Sequence, residues 1–174
     1  MTIWLKKIAC LILIFTYSNV RAEESYVLDD WLINFDDTVC WTTASITEDP
    51  FNDEYDSSED FQFTVSFHNG DTVPQFTIIS VTQGKAVTSA TVKFGGDKFE
   101  YTVIDDTAFS LPEDDRDIVF NMLEGIVPYV LLGINNEDIH PTPSVSLDGF
   151  KKAYNYISKI CSFHKFPKAF SGVS

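Results

Sequence analysis

The side chains of this chain that could do chemistry are its carboxylates, three histidines and three cysteines. Acid–base catalysis needs two titratable groups facing one cleft, and a zinc site needs histidine or cysteine at ligand spacing. His68, His140 and His164 fall at a predicted strand end, in a proline-flanked loop and in the C-terminal tail, and none is near another zinc ligand in the sequence. Asp105-Asp106 and Asp114-Asp115 are paired carboxylates. Neighbours on a strand point to opposite faces, and neighbours on a helix are splayed apart, so both pairs are expected to solvate a strand end and a helix start. The chain has no Gly-x-Ser-x-Gly elbow, no His-Glu-x-x-His, no phosphate loop and no Gly-x-Gly-x-x-Gly. The expectation is a protein with no catalytic residue and no cofactor.

The most acidic segment, residues 48–60, sets seven carboxylates around Phe51 and Tyr55. Oxygen ligands suit calcium, but the spacing matches no EF-hand loop, and a charge run is ordinarily a solvated loop. Phe51, Asp53, Glu54, Tyr55 and Asp56 are taken as a candidate interaction loop, with no metal assigned.

Residues 1–22 run from Lys6 and Lys7 through an apolar stretch to Val20-Arg21-Ala22. This is the order of a secretory signal peptide, with cleavage expected after Ala22. The apolar stretch is about half the roughly 20 residues that a membrane-spanning helix needs. Processing removes Lys6, Lys7, Arg21 and no acid; 12 basic residues less these 3 leave 9 against 26 acids, a formal charge of −17. Such a chain repels nucleic acid and anionic lipid, which are bound largely through Lys and Arg. Cys10 leaves with the signal peptide, so Cys40 and Cys161 remain, and two cysteines in an oxidising compartment are expected to pair.

The elements that must carry these residues are mostly strands. Phe61, Phe63, Val65 and Phe67 alternate with polar residues, the pattern of a strand with one buried face. Similar runs cover residues 38–46, 75–82, 86–94 and 98–104. Gln83-Gly84-Lys85 and Gly95-Gly96-Asp97 read as hairpin turns between them. Ser110-Leu-Pro-Glu113 has the form of a capping box opening a helix over about 111–124, which Gly125 ends. Residues 127–132 read as a buried strand, with Pro128 near an edge or bulge. Ser146 is a second N-cap candidate; Leu147, Phe150, Tyr154, Ile157 and Cys161 share one face of a helix over about 147–161. The fold class expected is mainly β, an antiparallel sandwich or barrel-like meander with two helices packed on it. Residues 23–161 form one domain in this reading, followed by a tail over 162–174.

Cys40-Trp41 opening a strand, residues 99–103 leading through Ala108-Phe109 and Asp114-Asp115 to Met122-Leu-Glu-Gly125, residues 130–133, and Ser146-Leu-Asp-Gly-Phe150 running to Cys161 together resemble the invasion-associated locus B family of Gram-negative envelopes. The resemblance spans about residues 38–161. It implies a small, exported, disulfide-linked, mostly β protein of the periplasm or outer envelope with no enzymatic activity, acting through an envelope or surface partner. Two departures stand out: residues 48–60 are acidic where the family usually has basic residues, and residues 162–174 extend past its usual end. The competing expectation is a small-ligand or glycan binder, or a weak hydrolase, with Trp31, Trp41 and nearby carboxylates lining a groove.

Overall fold

The computed structural model describes residues 24–36, 38–47, 61–68, 70–138 and 144–162. Strands β1 (Glu24–Leu28) and β2 (Trp31–Phe35) form an N-terminal hairpin, and β3 (Val39–Thr47), β4 (Phe61–His68) and β5 (Gln75–Ser80) follow as a meander. Strands β6 (Val87–Phe94), β7 (Asp97–Ile104) and β8 (Thr107–Phe109) form a second meander. Helix α1 (Asp115–Leu123), β9 (Pro128–Ile134), β10 (Glu137–Asp138), β11 (Ser144–Val145) and helix α2 (Phe150–Ser162) complete the chain.

The two meanders join into a closed ring of eight strands, β3-β11-β9-β6-β7-β8-β5-β4, with β4 returning to β3. The fold is therefore a barrel and not a sandwich. The reason lies in β3, whose nine residues take two neighbours in succession. Its residues 40–43 pair with β2, residues 46–47 pair with β11, and residues 39–45 pair with β4. Gly95-Gly96 makes the expected two-residue hairpin, because Phe94 pairs with Asp97. The turn at Gln83-Gly84-Lys85 is a corner instead: β5 pairs with β4 and β8, and β6 with β7 and β9.

Inward positions repeat every second residue, and the largest fully buried side chains include Phe63, Phe67, Phe76, Phe94, Ile46, Ile78 and Val65. Eight strands leave an interior about wide enough for side chains to fill. Pro128 opens β9 and is paired across the ladder with Phe94 alone, a strand-end position where a missing N–H costs least.

Both helices start later than their sequence signals suggested. Ser110 does not cap α1. Its buried hydroxyl accepts the Phe76 amide at 3.0 Å and donates to the Asp115 carboxylate, tying β5 to the start of the helix. Leu111 to Asp114 make a turn, and α1 begins at Asp115 with no side-chain cap on Asp114. Its far end is as expected. Gly125, at φ +82°, donates to the Met122 carbonyl, and Ile126 donates to that of Asn121, the paired bonds of a Schellman motif. Ser146 likewise caps no helix: its hydroxyl accepts the Asp148 amide and donates to Asp30, and α2 begins after Gly149.

Phe150, Ala153, Ile157 and Cys161 form the buried face of α2, which packs on β1 to β4. Cys161 is bonded to Cys40, with Cα atoms 6.1 Å apart and a sequence separation of 121. Cys40 pairs across the ladder with Phe67, whose ring lies 5.7 Å from that of Tyr154 on α2. Closing so long a loop stabilises the fold by about 5 kcal/mol on the chain-entropy account.

Candidate functional site

The β5–β6 corner and the β7–β8 turn face each other across a cleft of about 300 Å³, lined by Ile79, Ser80, Thr82, Gly84, Lys85, Ala86, Asp105, Asp106 and Thr107. Its walls follow from local chemistry. Asp105 and Asp106 take up left-handed conformations, φ +47° and +63°, forming a two-residue turn that displays both carboxylates to solvent. Aspartate tolerates this region better than most residues because its short polar side chain bonds locally. On the opposite wall the corner is pinned by Asn135, whose side chain accepts the Ala86 amide at 3.1 Å and donates to the Gly84 carbonyl at 3.2 Å. The Ser80 hydroxyl donates to the Thr82 carbonyl at 3.0 Å and accepts the Thr82 amide at 3.4 Å. Exposed Val81 and Ile104 lie next in sequence to this polar lining. The cleft offers carboxylate, ammonium and hydroxyl groups in a rigid setting, suited to holding a small polar ligand or a partner's side chain.

A second polar constellation is buried. Asp115 is 6% exposed at the start of α1 and accepts the Ser110 hydroxyl. Burial raises its carboxyl above the ordinary range; the Ser110 hydroxyl and the Phe76 amide oppose that, while Asp114 and Glu113 add to it. The Tyr101 hydroxyl is buried and has no hydrogen-bond partner among the described residues. Burial first, and then Asp115 and Asp114, push its phenol well above 10. Asp115 was expected to solvate a helix start, and the structure buries it instead. No local sequence signal marks this burial, which comes from the Ser110 hydroxyl joining the distant Phe76 amide to Asp115.

Cys40 and Cys161 are brought together as expected, in a disulfide 0% and 1% exposed, which suits a structural bond and not an exchanging one. The candidate interaction loop Phe51, Asp53, Glu54, Tyr55 and Asp56 lies outside the described residues, as do His140 and His164. His68 sits at the exposed end of β4, where its backbone amide bonds the Asp71 carboxylate. Among the described residues no three His, Cys, Asp or Glu side chains are grouped so as to hold a metal.

An aromatic groove containing Trp31 is not present. Trp31 is fully buried, its ring tilted against Phe150 with centroids 5.0 Å apart, and its indole N–H donates to the Ser146 carbonyl at 3.0 Å. It holds the N-terminal hairpin to α2. Trp41, one strand over, is only half-buried and pairs with Asn34 and Ser66.

The surface also carries apolar residues that sequence reading missed. Phe120 is 61% exposed on α1; Ile126, Val127 and Tyr129 follow it into β9 and are also exposed. The Schellman motif commonly brings the residue after its glycine against the last helical turn, here Ile126 toward Phe120. Tyr26 and Tyr156 are also exposed, with their rings 6.1 Å apart, and Val27 and Leu32, partners across the β1–β2 ladder, are exposed on the other face of the hairpin.

Barrel, hairpin, helices and disulfide together define a small disulfide-stapled β-barrel protein. A solved structure of this build is the crystal structure of invasion associated protein B from Bartonella henselae. It is similar with a TM-score of 0.52 and 15% sequence identity, over 79% of this chain and 97% of that one. At that identity the likeness is one of fold. No protein-family model and no curated protein matches the chain.

Proposed function

We propose that this chain is an exported, non-catalytic protein of the cell envelope that acts by binding another envelope or surface component. The observation that carries the reading is the buried Cys40–Cys161 disulfide, which forms and persists in oxidising compartments. The signal-peptide order of residues 1–22 and the fold shared with invasion associated protein B support the same location. No described helix is long and apolar enough to cross a membrane. Exposed Phe120, Ile126, Val127 and Tyr129 supply the kind of apolar surface that marks interaction sites.

The test is cross-linking of the tagged protein in intact envelopes, followed by mass spectrometry of what is retained. The reading expects a chain beginning at Glu23, with both cysteines blocked to alkylation and a reproducible partner. A chain recovered from the cytoplasm with both thiols free would overturn it. A small-ligand reading is favoured by one observation, the polar cleft of about 300 Å³. It predicts that Asp105→Asn abolishes ligand-induced stabilisation without altering partner capture.

A further inference from the structure

All 26 acidic residues of the chain lie at or before Asp148, and the 26 residues that follow contain five lysines and no acid. The described part of that stretch is α2. Its solvent face consists of Lys151, Lys152, Asn155, Tyr156 and Lys159, spaced three and four residues apart and all exposed. Lys152 is committed to Asp29 at 2.7 Å. Lys151 and Lys159 make no ion pair among the described residues, on a protein with a large excess of carboxylates. They stand about 12 Å apart along the helix axis, two turns and a fraction, with Tyr156 on the same face between them. The Tyr156 ring rests against Tyr26 at 6.1 Å and stays 38% exposed.

We propose, resting on the envelope reading above, that this face of α2 is a docking surface for an anionic glycan. The spacing of Lys151 and Lys159 fits acidic groups two or three sugar units apart on one chain, and Tyr156 offers an amphipathic ring on which a sugar ring can stack. A membrane surface fits less well. The apolar face that an interfacial helix would sink into lipid is here spent on the core, in Phe150, Ala153, Ile157 and Cys161. An acidic body behind a few lysines is also repelled by a continuous anionic surface, whereas a single glycan chain can follow the helix alone.

The test is titration of the processed, disulfide-intact chain with a galacturonic acid hexamer. Neutral dextran and phosphatidylglycerol vesicles serve as comparators. The expected result is binding of the hexamer and not of dextran, weakened as salt rises. Lys151→Gln with Lys159→Gln should weaken it roughly tenfold, and Lys93→Gln with Lys98→Gln, the same charge change elsewhere, should leave it intact. These are surface positions, and an unchanged melting midpoint confirms that the variants fold. The proposal is overturned by absence of hexamer binding, by equal loss in both double variants, or by vesicle binding that depends on Lys151 and Lys159. If hexamer binding fails while the envelope cross-link still recovers a protein partner, only this inference falls; if both fail, the binding reading falls with it.

Discussion

At the scale of the residue, the buried constellation of Tyr101, Ser110 and Asp115 makes the sharpest predictions. An unsatisfied buried hydroxyl costs the free energy of its lost hydration, about 1–3 kcal/mol. Tyr101→Phe removes that hydroxyl and keeps the ring, so it should stabilise the protein by about 1 kcal/mol, read as a higher urea midpoint; a lower midpoint would reveal a partner for the hydroxyl. Asp115 predicts a pH dependence. Its folded carboxyl sits above the ordinary 3.8, mainly through burial, so the native state holds the proton more tightly than the unfolded chain. The destabilisation is full above the folded pKa, shrinks as pH falls through it, and is gone below 3.8. Asp36 acts in the opposite sense. Burial would raise its carboxyl, but the Thr38 and Val39 amides, the Thr38 hydroxyl and His68 hold it lower, so its stabilisation is lost on acidification. Asp115→Asn should therefore reduce the stability gained on acidification from pH 7 toward 3.8 relative to the parent chain, measured as the difference in urea midpoints. An unchanged difference would mean that Asp115 does not titrate in that window. Asp115 was visible in the sequence only as one of a run of acids, because its burial depends on Phe76, far along the chain.

At the scale of the element, the alternation of Phe61 to Phe67 and the α2 stripe through Phe150, Ile157 and Cys161 were legible because one face of each meets the core. The N-terminal hairpin was not legible, although Trp31, Ile33 and Phe35 alternate; the Trp31 ring, which sequence alone leaves open to ligand stacking, is buried with its N–H on Ser146. Helix starts were misplaced for a related reason. Ser110 and Ser146 are good caps in isolation, but distant partners, Phe76 and Asp30, claim their hydroxyls. What starts α2 is Gly149, at φ +84°, where an added Cβ would strike the Leu28 carbonyl oxygen in the hairpin turn. The Asp30 amide bonds Asp148 at 3.3 Å, so the two turns are pressed together. Gly149→Ala should cost on the order of 3 kcal/mol, from left-handed strain plus overpacking, and should loosen the hairpin and α2 together. Hydrogen exchange can separate the cases: faster exchange confined to α2 would show that the hairpin does not depend on Gly149.

At the scale of the whole molecule, ring closure could not be read from local pattern, because β11 has two residues and its pairing with β3 and β9 joins segments about a hundred residues apart at the widest. The charge distribution, by contrast, was legible from composition. The ion pairs Lys98 with Glu100 and Lys152 with Asp29 are both solvent-exposed and each worth little. Most of the 26 carboxylates therefore repel one another across a small barrel, and that repulsion favours the expanded chain. Salt should screen it, because at about 0.15 M the Debye length is roughly 8 Å, shorter than most separations on the surface. The processed chain should therefore melt a few degrees higher in moderate sodium chloride than in dilute buffer, with the disulfide intact in both. Cys40–Cys161 enters the comparison through the unfolded state: it keeps that state compact, so the repulsion persists there and the salt effect is smaller than in the reduced protein. Calorimetry of the oxidised and reduced chains at two salt concentrations tests both statements. A midpoint that falls with salt would mean that attractive pairs outweigh repulsion. An equal rise in both redox states would mean that the disulfide does not hold the unfolded charges together.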